Sequence, residues 1–297
     1  MASTKKSTIF GASKTERFRG YDIVGNIAIL KFARGVSGKE KKKMGEKFLG
    51  ENKSVRTVLE KIGKFSGRLR TQGTKYIAGE KTKEALYREN ECVFRFNVDT
   101  CYFSPRLSTE RKEIAKMVKK GEKVLVLFGG VAPFAVTIGK LSRVEKVVSV
   151  ELGKECNKYA IENVRRNKLL GKVEIVQGDV RKVFNKPFLS AVKSKEDNQR
   201  LSSVRKAKFG RGYDRVIMAR PNLEDSFLDV GFKAVRKGGI IYYYGFYSED
   251  EKGKLKDLIM EEGKKAKRKV KILRIKEAGE IGARKFRYRA DVKMLDN

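Results

Sequence analysis

The alternation of apolar and polar positions changes near residue 101 and divides the chain into two parts. In residues 19–100 the apolar runs are short. YDIVGNIAILKF predicts two strands joined at Gly25-Asn26, KEKKKMGEKFLGEN predicts a basic helix, and ECVFRFNVD predicts a later strand. This mixture indicates a small α+β domain. The polar residues 1–18 before it are expected to be mobile.

In residues 101–297 buried apolar strands alternate with helices. The strand-like runs are VLVLF, VEKVVSVE, KVEIVQGD, YDRVIMA and GGIIYYYGF, with a final pair at VKILRIKEAG and KFRYRADVKM. Helices are predicted at residues 105–119, after the glycine turn, and at 154–169. This order is typical of a Rossmann-like α/β domain with a parallel sheet. A basic insertion around residues 185–212 is expected to form a solvated loop or a further phosphate contact.

Composition adds a strong positive charge to this picture. The chain has 70 Lys and Arg against 36 Asp and Glu, a net charge of +34, and both parts are basic. Self-repulsion of this size destabilises a compact state, so a polyanionic partner is indicated, with a generally basic proteome as the alternative. No apolar run is long enough to span a membrane and the start lacks a secretory core, which favours a cytoplasmic protein.

The cysteine and histidine content argues against metal chemistry. The chain has no histidine, and Cys92, Cys101 and Cys156 show neither metal-ligand spacing nor a disulfide framework. We therefore expect no metal. An enzyme with this composition that needs a proton acceptor is expected to use a carboxylate.

A glycine turn and two acids follow three consecutive predicted strands. Gly129-Gly130 follows the first, Glu151 ends the second about twenty residues later, and Asp179 ends the third. In an open parallel sheet these ends lie at one edge, where ligands bind. The third glycine of the dinucleotide pattern is missing, so an adenosine ligand without a long phosphate tail fits better, with S-adenosylmethionine as the leading candidate. The alternative is that both acids only end strands or cap helices.

The stretch YFSPRLSTER predicts the start of a helix, with Ser104 as its cap and Pro105 at its first position. Arg106 and Glu110 lie four residues apart on this helix. Taken alone, such a pair is a solvated surface ion pair that contributes about 0.3–0.5 kcal/mol. The alternative is that it belongs to an active site.

The chain resembles the archaeal and eukaryotic tRNA guanine-N1 methyltransferases, which modify guanosine 37 beside the anticodon. The resemblance runs from about Phe18 to Met294. It is carried by YFSPRLSTER, RGYDIVGNIAILKF, SVRTVLEKIGKFSGRLR, YIAGE, YRENECVFRFNVD, VLVLFGGVAPFAVTIGK and the terminal VKILRIKEAGE. It implies a class I methyltransferase domain, S-adenosylmethionine as cofactor and tRNA as partner. We expect a monomer that binds the anticodon stem-loop.

The resemblance also implies roles for individual residues. Glu110 is expected to be the general base, Arg106 to support the charged transition state, and Arg70 to reach the target base. Arg111 is expected to lie close to the methyl donor. The remaining residues expected at the cofactor are Phe128, Gly130, Val131, Glu151, Leu152, Asp179, Val180, Ala219 and Pro221.

The chemistry supports a base at this position. N1 of guanine keeps its proton at neutral pH, so a methyl acceptor at N1 needs a group that removes it. Burial of Glu110 beside the substrate would make this carboxylate a stronger base. Aromatic residues near the strand ends are candidates to stack on a flipped base, with core packing as the alternative for each: Tyr102, Phe103, Tyr244 and Phe246.

One departure from the family pattern keeps other functions open. After the fourth strand the family carries Asn-Leu-Pro, whereas this chain has Ala219-Arg220-Pro221. The loss of the Asn amide is compatible with methylation at C7 of a wyosine precursor, or transfer of an aminocarboxypropyl group, at the same tRNA position. It is also compatible with a non-catalytic basic tRNA-binding protein.

Overall fold

The computed structural model describes residues 18–67, 71–185, 212–220, 225–282 and 284–296. Their contacts separate two units, one drawn from Met1–Lys64 and Gln72–Lys83, the other from Phe65–Thr71 and Glu84–Asn297. The predicted insertion around residues 185–212 lies almost entirely outside the described residues. In the described part of the chain, no helix is long and apolar enough to cross a membrane.

The first unit is a four-stranded sheet with one helix. Its elements are β1 (Phe18–Val24), β2 (Ile27–Phe32), α1 (Gly38–Glu51), β3 (Thr57–Ser66) and β4 (Thr71–Gly79), with the strands in the order β1-β2-β3-β4. The predicted hairpin is confirmed, since β1 and β2 are antiparallel and Gly25 turns the chain with φ +59°. The basic helix is also confirmed and begins with a capping box between Ser37 and Glu40.

The second unit contains nine strands and six helices within its described residues. They are β5 (Glu84–Glu89), β6 (Cys92–Asn97), α2 (Ser108–Met117), β7 (Lys123–Leu127), α3 (Pro133–Leu141), β8 (Lys146–Glu151), α4 (Lys154–Arg166), β9 (Val173–Gln177), α5 (Val180–Asn185), β10 (Tyr213–Met218), α6 (Leu228–Ala234), β11 (Val235–Ser248), α7 (Lys252–Lys265), β12 (Val270–Gly282) and β13 (Lys285–Met294). A 3₁₀ turn, Pro105–Leu107, leads into α2.

Seven of these strands form one sheet in the order β12-β13-β11-β10-β7-β8-β9. The five strands from β11 to β9 are parallel, while β13 is antiparallel to both of its neighbours. The Rossmann-like α/β prediction is thereby confirmed. The strand order reverses at β7, so the carboxyl ends of β7, β8 and β10 enclose the switch point at which such sheets bind ligands.

Ser104 does not cap the helix as predicted. It occupies the cap position of the 3₁₀ turn, but its side chain makes no capping hydrogen bond. Its carbonyl oxygen instead accepts from the backbone N–H of Leu107 at 3.2 Å and from Nη2 of Arg111 at 3.1 Å. The backbone of Ser104 therefore holds both the turn and a side chain of α2.

The division between the units falls at residue 83, whereas the sequence pattern placed it near residue 100. The β5–β6 hairpin belongs to the second unit, where Asn163 of α4 and Asn167 directly after it bind the free edge of β6. Asn163 accepts from the backbone N–H of Arg95 at 2.8 Å and donates to its carbonyl at 3.2 Å. Asn167 makes the same pair of bonds to Val93, at 2.9 and 2.8 Å. Residues four apart on a helix thus match residues two apart on a strand.

We expect Asn163→Ala to lower the free energy of unfolding by about 1–3 kcal/mol, because it leaves buried backbone groups of β6 without partners. Urea denaturation measures the change. Lys158→Ala on the exposed side of the same helix is the control and should change stability by less than about 0.5 kcal/mol. Equal midpoints for the two variants would contradict this account of the boundary.

Candidate active site

The turn after β7 is wound tightly against β8. Phe128, Gly130 and Ala132 all have left-handed backbones, with φ of +59°, +56° and +66°. A Cβ atom on Gly129 would lie 2.0 Å from Oγ of Ser149, so a larger residue there would require the buried Ser149 side chain to rotate away. Non-glycine residues in this conformation cost about 1–3 kcal/mol and are concentrated at functional sites.

Glu151, at the end of β8, is fixed by this turn. Its Oε2 accepts from the backbone N–H of Gly130 at 2.9 Å, and its Oε1 accepts from that of Gly153 at 2.8 Å. A carboxylate has about four acceptor sites, so two remain for a ligand. Glu151 is therefore a carboxylate fixed at the switch point that can still accept hydrogen bonds, such as ribose hydroxyls would donate.

A cleft opens at this point, entirely within the second unit. Five of the predicted cofactor residues line it: Arg111, Phe128, Gly130, Glu151 and Ala219. The structure adds residues that the sequence analysis did not assign to the cofactor, chiefly Tyr102, Phe103, Phe134, Cys156 and Arg220. Apolar rings and a single acid make a cleft suited to an adenosine group with a small tail.

The other predicted cofactor residues lie outside the lining of the cleft, as far as the described residues show. Val131 is fully buried and its carbonyl accepts from Asn163 at 3.1 Å. Asp179 accepts from the backbone N–H of Arg181 at 3.0 Å in the first turn of α5. This contact is the one expected if Asp179 only caps the helix. Leu152 is half-buried and Val180 lies in the core of the sheet. Arg70 and Pro221 fall outside the described residues.

Arg111 is almost completely buried, with 1% of its surface exposed. Its guanidinium forms a two-pronged ion pair with Glu89 of β5, in which Nη2 lies 2.5 Å from Oε2. It also lies over the ring of Phe103, 5.1 Å from its centre. Arg111 therefore reaches the cleft with its charge compensated. Glu89 lies in the YRENECVFRFNVD motif, and no pattern in the sequence assigns it a role.

Glu110 is also buried, with 4% exposed, so the solvated surface pair is the wrong interpretation of this residue. The hydroxyl of Tyr244 donates to its Oε2 at 3.0 Å, and Nη1 of Arg289 donates to the same atom at 2.8 Å. Nζ of Lys276 lies 2.8 Å from its Oε1. Arg106, by contrast, is exposed on the 3₁₀ turn.

Glu110 belongs to a larger set of side chains between α2 and the last three strands, which we call the Glu110 network. Its members are Glu110, Glu113, Tyr244, Arg274, Lys276, Arg289 and Asp291. The three carboxylates and three cations balance, so the network carries no net charge. Such compensation is what allows ions to be buried at all.

The network shifts the ionisation of its members. Burial lowers the pKa of Arg289, but the hydrogen bond to Asp291 and the charge of Glu110 outweigh this and raise it above its usual value. Burial, together with the charge of Glu110, raises the pKa of Tyr244 well above its usual value, so its hydroxyl stays a donor. Burial raises the pKa of Glu113, but hydrogen bonds from Lys276 and Arg289 outweigh it and lower the pKa to about 2.

One sequence signal could have found this network. In KFRYRADVKM charged residues alternate with apolar ones, and β13 lies between β11 and β12. An inner strand of a sheet that is covered on both faces buries both sets of side chains, so its charges need partners. Of the aromatic candidates, Tyr102 and Phe103 line the cleft, Tyr244 is buried in the network, and Phe246 packs under Arg287.

No group of three His, Cys, Asp or Glu that could hold a metal ion is found in the described residues.

We expect stability to fall with acid through Glu113. Because its pKa is lowered to about 2 in the folded state, its contribution is present above the unfolded value near 4.3 and is lost as pH falls towards 2. Glu113→Gln should reduce the free energy of unfolding by about 1–3 kcal/mol at pH 7, and the gap to wild type should narrow below pH 4. Urea unfolding across pH 7 to 3 measures this.

Glu145→Gln is the control, because Glu145 forms an exposed ion pair with Lys123. A gap between wild type and Glu113→Gln that stays constant with pH would contradict the assigned ion pairs.

Comparison with known proteins agrees with the fold. The TRM5/TYW2 methyltransferase domain model matches residues 85–273, and the TYW2 N-terminal domain model matches residues 12–82. These matches divide at the same place as the two units.

Two curated relatives and one solved structure show the extent of the similarity. The tRNA (guanine(37)-N(1))-methyltransferase Trm5b of Pyrococcus abyssi is 33% identical over 231 residues, which cover 78% of this chain and 61% of the relative. The tRNA (guanine(37)-N(1))/4-demethylwyosine(37)-methyltransferase Taw22 of Nanoarchaeum equitans is 33% identical over 304 residues, covering 93% and 99%. The crystal structure of Pyrococcus abyssi Trm5b has a TM-score of 0.74 at 29% identity and covers 93% of this chain and 75% of that one. The family resemblance is confirmed: this chain belongs to the TRM5/TYW2 methyltransferase family.

Proposed function

We propose that this protein transfers a methyl group from S-adenosylmethionine to N1 of guanosine 37 in tRNA. The observation that carries the proposal is the cleft at the carboxyl ends of β7, β8 and β10. Glu151 lines this cleft, and buried Glu110, outside the lining, directly precedes cleft-lining Arg111. The names of both relatives specify this tRNA position. The net charge of +34 suits an RNA partner.

The cleft fits S-adenosylmethionine by its chemistry. We assign Glu151 to the ribose hydroxyls and the rings of Phe128 and Phe134 to the adenine and its surroundings. When bound, the cofactor supplies a methyl group on a positively charged sulfur. Arg111 can lie near that charge because Glu89 compensates its own.

We assign the removal of the N1 proton to Glu110. The carboxylate of Glu110 is held in place by Lys276, Arg289 and the hydroxyl of Tyr244. As the N1 lone pair forms its bond to the methyl carbon, the N1 proton passes to a carboxylate oxygen. Loss of this proton places negative charge on O6 of guanine.

The charge on O6 needs a cation at the cleft. Arg220, at the end of β10, lines the cleft with its guanidinium 5.7 Å from the ring centre of Phe128. We assign it, together with Arg106, to this role. A basic residue in place of the family's Asn amide is therefore compatible with methyl transfer.

A second candidate is methylation of 4-demethylwyosine at the same position. It is favoured by the match to Nanoarchaeum equitans Taw22, whose name includes this activity and of which 99% is covered. Mass spectrometry of nucleosides, after reaction with tRNA carrying guanosine or 4-demethylwyosine at position 37, separates the two activities.

We expect Glu151→Gln to weaken S-adenosylmethionine binding by about 10- to 100-fold, because a charged acceptor of hydrogen bonds is lost. Isothermal titration calorimetry measures the affinity. Glu155→Gln is the control, since Glu155 lies at the start of the next helix and pairs with exposed Lys158. A wild type that does not bind the cofactor, with or without tRNA, would favour the non-catalytic tRNA-binding alternative.

We expect Glu110→Gln to slow formation of N1-methylguanosine by about 10²–10⁴-fold, because the amide cannot take the proton. The measurement uses tRNA transcripts with guanosine or adenosine at position 37. Glu122→Gln is the matched control, because Glu122 is a largely buried carboxylate, 14% exposed, that pairs with Arg215 and lies before β7, at the other end of the strand. Equal rates for wild type and Glu110→Gln would exclude Glu110 as the base.

A further inference from the structure

We infer that Arg289 is a positioning residue that, with Tyr244, fixes the Glu110 carboxylate so that Oε1 is the oxygen that receives the substrate proton. The inference rests on the proposed role of Glu110 as the base. It adds a residue from the far end of the chain to the reaction, and it selects one of two otherwise equivalent oxygen atoms.

The first observation is the way Arg289 is held. Its side chain is 0% exposed. Nε donates to Oδ1 of Asp291 at 2.7 Å, Nη2 donates to Oε1 of Glu113 at 3.0 Å, and Nη1 donates to Oε2 of Glu110 at 2.8 Å. Nη2 also donates to Oδ2 of Asp291 at 3.2 Å. All three guanidinium nitrogens thus donate to carboxylates. Since the group is planar and rigid, its orientation is set before it reaches Glu110.

The second observation is the asymmetry between the two oxygens of Glu110. Oε2 accepts from Arg289 and from Tyr244, two donors that are both buried. These donors occupy both acceptor sites of Oε2. Oε1 meets only Nζ of Lys276 among the described residues, and this side chain is 27% exposed. Oε1 therefore keeps a lone pair, and its one partner among the described residues is a partly exposed lysine that also binds Glu113.

The chemical step follows from this arrangement. The N1 lone pair forms the N–C bond as the C–S bond breaks, and the N1 proton goes to Oε1. The hydroxyl of Tyr244 stays protonated and Arg289 stays charged, so both remain donors to Oε2 throughout. Neither residue needs to contact the substrate.

Stability alone is a weak reason for such a network. Desolvating each buried ion costs several kcal/mol, and replacing such networks by apolar residues is often neutral or stabilising. The chain also contains a comparable cluster away from the cleft. Arg215 of β10 is 5% exposed and binds both oxygens of Glu122 as well as the hydroxyl of Tyr242. The ring of Tyr242 also lies 5.4 Å from the guanidinium of Arg289, so Arg215 borders the Glu110 network without contacting Glu110. It offers a matched control of the same residue types in the same sheet.

The experiment compares Arg289→Lys with Arg215→Lys in wild-type and Glu110→Gln backgrounds. It measures kcat and KM for tRNA, S-adenosylmethionine affinity and the thermal midpoint. Arg289→Lys keeps the positive charge but removes the planar guanidinium that binds three carboxylates at once. We therefore expect kcat to fall about 10- to 100-fold, while KM for tRNA and the affinity for S-adenosylmethionine change by less than about twofold. In the Glu110→Gln background the same change should cost no further activity. Arg215→Lys should lower the midpoint comparably and leave kcat within about twofold.

Tyr244→Phe provides an independent variant that keeps the size and burial of the side chain. It removes the second donor to Oε2 and should lower kcat by about 10-fold. If Arg289→Lys fails to fold, this variant tests the same assignment.

The outcomes separate this inference from the proposed function. A wild type that forms no N1-methylguanosine overturns both. A slow Glu110→Gln with fully active Arg289→Lys and Tyr244→Phe overturns only the inference. An equal loss of kcat in Arg215→Lys also overturns only the inference. The same holds if Arg289→Lys lowers kcat further in the Glu110→Gln background, because both results indicate a purely structural role for Arg289.

Discussion

Two neighbouring residues of opposite charge, Glu110 and Arg111, are both buried in the first turn of α2, and the site depends on how each is compensated. Successive residues on a helix point about 100° apart, so the two side chains cannot neutralise each other. Arg111 forms an ion pair with Glu89 on the β5–β6 hairpin. Glu110 forms ion pairs with Lys276 and Arg289 and accepts a hydrogen bond from Tyr244. The helix is thereby fixed from two sides by partners that are remote in sequence.

This arrangement explains which parts of the site could be predicted. The strands of the seven-stranded sheet, the glycine turn and Glu151 could be predicted from local patterns. Each signal, an apolar run, a pair of glycines or an acid at a strand end, lies within the element that it predicts. Glu110 required the YFSPRLSTER motif, since its spacing from Arg106 alone favours a surface pair. The alternating charges of KFRYRADVKM indicate that β13 needs charged partners, but only the order of strands β11 and β13 brings Tyr244 and Arg289 to Glu110.

The same reasoning accounts for the displaced boundary between the units. The extended pattern of ECVFRFNVD is that of any half-buried strand and does not reveal what covers its edge. The contacts that assign β6 to the second unit come from Asn163 and Asn167, two polar residues at the end of a helix about 70 positions later.

The positive charge of the chain lies elsewhere. Because the charges of the Glu110 network balance one another, the surplus belongs to other residues, where phosphates of an RNA can be bound.

The asparagine contacts to β6 have a consequence for behaviour in concentrated solution. A hairpin whose outer strand exposes unpaired amides and carbonyls can recruit a strand from another molecule and begin to aggregate. Here the side-chain amides of Asn163 and Asn167 form hydrogen bonds with the backbone N–H and carbonyl groups of Val93 and Arg95. These are the groups with which an added strand would have to pair. The helix thus protects the sheet edge against intermolecular pairing without adding a strand to it.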